Sequence, residues 1–105
     1  MKLPFFCLLA LVAIQLSLHS AWASSDIAKK NACLSCHNND KKLVGPAFKD
    51  VAKKYAGVPN APQKLALSIK AGGAGKWGPV PMPPPTALSE SDAVKLATWI
   101  LEGAK

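Results

Sequence analysis

Cys33-Leu34-Ser35-Cys36-His37 constrains this chain more than any other stretch of it. Two thiols three residues apart, followed at once by an imidazole, form C-x-x-C-H, the pattern through which a c-type haem is attached. The chemistry needs that spacing. The thiols add across the two vinyl groups of one haem, and the adjacent imidazole then reaches the iron from the same side. Three other readings compete. A thioredoxin-like redox pair belongs to a strand-helix context, and none is legible here. A structural zinc site needs a fourth nitrogen or sulfur ligand, and thioether is a poor one for zinc. A plain disulfide leaves His37 without a role. Haem c, bound through Cys33 and Cys36 with His37 on the iron, is the expectation.

The N-terminus has a different character. Met1 and Lys2 give a positive start, Phe5 to Leu18 is almost entirely apolar, and Ala21-Trp22-Ala23 has the small-x-small form that signal peptidase accepts. Residues 1–23 therefore read as a cleaved signal peptide. A membrane anchor would need about 18 or more apolar residues and stronger flanks. A lipid anchor on Cys7 is disfavoured by the bulky Phe5 and Phe6 before it. Residues 24–105 are left as one periplasmic domain without a stable membrane anchor. Cleavage removes Cys7, His19 and Met1, so Cys33, Cys36, His37 and Met82 become the full set of thiol, imidazole and thioether ligands. A domain of about 80 residues buries a modest core and commonly leans on a cofactor, a metal or a disulfide.

Within that domain the periodicity predicts an all-α class, with four helices and no strand. Asp26 to Cys33 is a plausible first helix, with Ser24 or Ser25 as its cap. Phe48, Val51, Ala52 and Tyr55 form one stripe of a second, which Gly57 would end. Leu65 and Ile69 share a face of a third, after Asn60-Ala61-Pro62 and before Gly72-Gly73. The last helix is the clearest. Ala93, Leu96, Ala97, Ile100 and Leu101 repeat the 3.6 period, Ser89 and Asp92 resemble a capping box, and Trp99 stands at the edge of the stripe.

Between the third and last helices, Gly72 to Thr86 is rich in Gly and Pro, which excludes helix and central strand. Gly73-Ala74-Gly75-Lys76-Trp77-Gly78 formally matches G-x-G-x-x-G, but no strand precedes it and Pro79 follows, so a dinucleotide site fails its context. A lone Met is usually core filler. Met82, however, sits among Pro81, Pro83, Pro84 and Pro85, a setting that builds no helical core and would hold a ligand rigidly. Over a Lys, water or an empty position, it is the expected second axial ligand, and His/Met ligation raises the reduction potential.

Three stretches besides C-x-x-C-H carry a family resemblance. They are Ala28-Lys29-Lys30-Asn31, Val44-Gly45-Pro46-Ala47, and Lys76-Trp77-Gly78-Pro79-Val80-Pro81-Met82-Pro83-Pro84. Together they resemble the class I cytochromes c, and closely the short bacterial monohaem group. The resemblance spans nearly all of Asp26 to Glu102. It implies a compact cytochrome c fold of about four helices wrapped around one covalently bound haem, with the first and last helices crossing. It also implies that Pro46 offers its carbonyl to the other nitrogen of the ligating imidazole, and that Trp77 donates its indole N–H to a haem propionate. Two departures bear on the potential. Ser68 stands where the family often has an Arg near the propionates, and Pro85-Thr86 stands where an amide often touches the Met sulfur.

Thirteen Lys and no Arg against six acids give +7, which cleavage lowers by the charge of Lys2. Nucleic acid is an improbable target for an exported chain without Arg. The excess argues for steering toward acidic docking surfaces on redox proteins, with Lys29, Lys30, Lys41, Lys42 and Lys76 favoured for docking. The expected function is that of a monomeric one-electron carrier, not an enzyme. Its donor would be of the membrane cytochrome complex or dehydrogenase kind, its acceptor an oxidase or nitrite reductase. The alternative is a haem enzyme or gas sensor, peroxidase-like or NO-binding, with a displaceable Met82.

Overall fold

A computed structural model describes residues 24–105; the expected signal peptide, residues 1–23, lies outside them. Four helices form, and no strand is present among the described residues. The first, α1, covers residues 24–30. Its predicted bounds need correction at both ends. Residues 24 and 25 are already helical, so neither serine is the cap, and the helix stops short of Cys33. Asn31 ends it, donating to the Ile27 carbonyl both from its backbone N (3.1 Å) and from Nδ2 (2.9 Å). Ala32 then turns left-handed, at φ 58°, a reversal that commonly closes helices. Cys33–Ser35 follows as a single 3₁₀ turn.

Helix α2 runs Phe48–Tyr55. No side chain caps it. Its first amides, Phe48 N and Lys49 N, donate instead to the carbonyls of Asn38 and Asn39, at 3.0 and 3.1 Å. The segment just after His37 is thereby fastened to the start of α2. Gly57, at φ +75°, leads the chain away from it. Helix α3, Ala61–Ala71, has Pro62 in its first turn, where a missing N–H does no harm, and Gly72 after its end. Helix α4, Glu90–Leu101, is capped by Ser89, whose Oγ accepts from Asp92 N at 3.1 Å. Only that half of the predicted capping box forms; the Asp92 carboxylate sits 4.0 Å from Lys95 Nζ instead.

Both α2 and α3 pack on α4. Leu96, Ala97 and Ile100 of α4 meet Leu65, Ala66 and Ile69 of α3 and Phe48 and Val51 of α2, with Ala28 of α1 fully buried in the same cluster. Trp99 is buried too, its indole Nε1–H donating to the Lys105 carbonyl at 3.1 Å. Each large apolar side chain buried here contributes about 1.5–3 kcal/mol. The core is small because α2, α3 and α4 also turn apolar side chains toward a cleft.

Candidate functional site

That cleft encloses about 340 Å³. Cys33, Cys36, His37 and Met82 all line it, together with Pro46, Trp77 and the apolar Val51, Leu65, Ile69, Leu96 and Ile100. The two sides of the cleft are built differently.

On the first side, the 3₁₀ turn folds the chain tightly enough that Cys36 N and His37 N both donate to the Cys33 carbonyl, at 3.2 and 2.9 Å. Both cysteines are free thiols, Cys33 half-buried and Cys36 exposed. Burial pushes the Cys33 thiol up, opposed in part by its own backbone N–H. The His37 ring is held from three directions. Its Nδ1 lies 2.7 Å from the Pro46 carbonyl oxygen, which can only accept, so Nδ1 carries a proton and, in the neutral ring, the lone pair is on Nε2. Phe48 stacks on it, centroids 5.2 Å apart and planes 15° apart. Gly45 presses against it so closely that a Cβ there would come within 2.5 Å of Cε1. Phe48 in turn meets Trp99 edge to face at 5.8 Å.

On the second side, residues 73 and 82 pair as an isolated antiparallel bridge. Gly73 N donates to the Met82 carbonyl at 2.9 Å, and Met82 N donates to the Gly73 carbonyl at 2.8 Å. Gly72 makes the approach possible, for a Cβ there would collide with the Met82 carbonyl, and its φ of +61° is itself unfavourable to other residues. Met82 is partly buried against the core. Gly75 N donates to the Gly78 carbonyl at 2.8 Å, closing a turn that presents Lys76 and Trp77. The stretch that mimics G-x-G-x-x-G is this turn.

Sequence reasoning named Cys33, Cys36, His37, Pro46, Trp77 and Met82, and all six line the cleft. It missed Gly45, Phe48 and Gly72 as parts of the site. Gly45 was legible as a turn residue, Phe48 as a core position and Gly72 as a helix stop; their closeness to His37 and Met82 depends on tertiary structure. Of the lysines favoured for docking, Lys42 and Lys76 line the cleft, and Lys29, Lys30 and Lys41 are exposed elsewhere.

The residues fit a haem. The lining is largely apolar, two free thiols stand three residues apart, an imidazole presents a bare Nε2, and a thioether shares the cleft. Among the described residues, no cluster of three or more His, Cys, Asp or Glu offers an alternative metal site. No helix among them is long and apolar enough to cross a membrane.

Comparison with known proteins agrees. The Cytochrome c family profile matches residues 23–104. The chain is 52% identical to cytochrome c-552 of Nitrosomonas europaea over 77% of its length and 79% of the relative's. It is 46% identical to cytochrome c-551 of Pseudomonas aeruginosa, over 93% of its length and 95% of the relative's. The crystal structure of the wild-type Nitrosomonas europaea protein superposes with a TM-score of 0.72, covering 74% of this chain and 96% of that one. A cytochrome c carries its haem covalently, and Cys33 and Cys36 are the thiols for it among the described residues. By sequence, fold and the make-up of its cleft, the chain belongs to the cytochrome c family, as a small class I monohaem member.

Proposed function

We propose that the protein is a periplasmic one-electron carrier between respiratory redox partners, with His37 and Met82 as the axial ligands of its haem iron. The observation that carries this reading is the commitment of His37 Nδ1 to the Pro46 carbonyl, which leaves Nε2 free in a cleft shared with Met82. Bound haem supplies the redox chemistry, one electron gained or lost at iron. The protein's part is to hold and to exclude. Pro46 fixes the tautomer of His37 and raises its basicity, as carbonyl partners of metal-bound imidazoles do. The bridge to Gly73 holds Met82 in place, and the apolar walls keep water out. His37 and Met82 would together leave a bound haem no position open for a substrate, which suits electron transfer instead of catalysis.

Partner contact follows from the cleft's rim. Val44, Val80 and Trp77 line the cleft and are 56%, 58% and 38% exposed, beside Lys42, Lys54 and Lys76. A small apolar patch among ammonium groups suits brief docking on an acidic redox protein, with salt slowing association. The pattern of residues 1–23 supports export. Mass spectrometry of the mature protein should find one covalent haem. Stopped-flow mixing with an acidic redox protein should show electron transfer that slows as salt rises. A chain without haem, or with peroxide turnover in place of electron exchange, would overturn the reading.

A further inference from the structure

Tyr55, Ser68, Lys76 and Trp77 line the cleft, and with the neighbouring Lys54 they form one cluster. Lys76 Nζ donates to Tyr55 Oη of α2 at 3.4 Å and to Ser68 Oγ of α3 at 3.3 Å. Lys54 Nζ donates to the Lys76 carbonyl at 3.3 Å and lies 4.5 Å above the Trp77 ring. Two ammonium groups thus share one corner of the cleft. Among the described residues, neither has a carboxylate within salt-bridge distance; Lys95 and Asp92 form the single such pair.

The lining narrows the choice of ligand. Its formally charged side chains are Lys42 and Lys76, with no Asp or Glu. A haem held by thioethers at Cys33 and Cys36 has its vinyl edge there. Its two carboxylates stand on the other edge of the macrocycle. Lys42 belongs to the segment that follows the attachment turn and has no side-chain hydrogen bond among the described residues. Lys76 belongs to the Gly75–Gly78 turn and is tied to two helices. Its partners are neutral hydroxyls, which orient an ammonium without neutralising it.

We propose that Lys76 is the cofactor's carboxylate partner: its ammonium, oriented by Tyr55 and Ser68, pairs with a haem propionate and so helps set the potential. This rests on the carrier reading, and it assigns Lys76 to the cofactor instead of to docking. Lysine is a point charge and not a planar fork, so the hydroxyls do the orienting. The charged and titratable groups nearest this corner are Lys54 and Tyr55 from α2, and the other charged group lining the cleft is Lys42; His37 belongs to the attachment side.

The test is the midpoint potential of the haem-loaded protein against pH, in wild type, Lys76→Gln, Lys76→Arg and Lys42→Gln. An opposite charge within about 4–6 Å lowers a carboxyl's pKa by about 1–3 units. In wild type the propionate should stay ionised to low pH and the potential should run flat. Loss of the Lys76 charge should lower the potential at neutral pH, because less positive charge then opposes oxidation. It should also move the propionate's protonation, seen as a rise in potential with falling pH, upward by about 1–3 pH units. Lys76→Arg should restore both features toward wild type, and Lys42→Gln should disturb neither as strongly. A haem-loaded Lys76→Gln with the wild-type profile, slowed only in its reaction with an acidic partner, would overturn the proposal and make Lys76 a docking residue. Lys42→Gln giving the larger shift would overturn it as well. A chain that takes up no covalent haem would instead remove the carrier reading on which both stand.

Discussion

The two walls of the cleft hold their proposed ligands by unequal means. His37 is fixed within a short run of sequence by a hydrogen bond to Pro46, a stacked Phe48, the close backbone of Gly45 and the turn from Cys33. Met82 depends on one pair of backbone hydrogen bonds to Gly73, nine residues earlier in the Gly/Pro loop, and on partial burial against the core. Redundant local contacts make a ligand hard to lose. A single bridge makes one that opens first, since segments with few contacts open at a fraction of the global free energy. Under denaturant, the spectroscopic sign of Met ligation should therefore fade before the helical circular dichroism. Coincident loss of the two would remove the distinction.

Single substitutions sharpen the contrast. Phe48→Ala should have the largest effect, about 3–5 kcal/mol by denaturant unfolding, because it empties a core position and removes the face on which His37 stacks. Gly72→Ala comes next, at about 1–3 kcal/mol for its positive φ alone, with the collision against Met82 adding to it. It should weaken Met ligation while haem stays attached. Gly45→Ala should cost about 1–3 kcal/mol as overpacking and should shift the His37 ring resonances, leaving Met ligation intact. If the two glycine variants exchanged these signatures, the two walls would not be independent. Ser89→Ala is the control: about 1 kcal/mol from the lost cap of α4, with neither ligand's spectrum altered.

Much of this was legible in advance, for chemical reasons. Cys33, Cys36, His37 and Met82 stood out because few side chains in residues 24–105 can bond iron or a vinyl group. The helices α2, α3 and α4 announced themselves through apolar spacing and through Pro62, Gly57, Gly72 and Ser89 at their ends. The end of α1 did not, because Ala32 adopts a left-handed conformation that alanine's helix propensity argues against. Pro46 came only through family resemblance, since a proline after glycine reads as an ordinary turn. Gly45 and Gly72 owe their importance to what lies across the cleft, and no local pattern encodes that.

The central claim is that His37 and Met82 both bind the iron. The visible absorption spectrum of the oxidised, haem-loaded protein tests it most directly, measured alongside Met82→Ala. The account predicts a low-spin spectrum with the weak near-red band of sulfur-to-iron charge transfer, and loss of that band in the variant. A high-spin native spectrum, or a band that survives Met82→Ala, would contradict it.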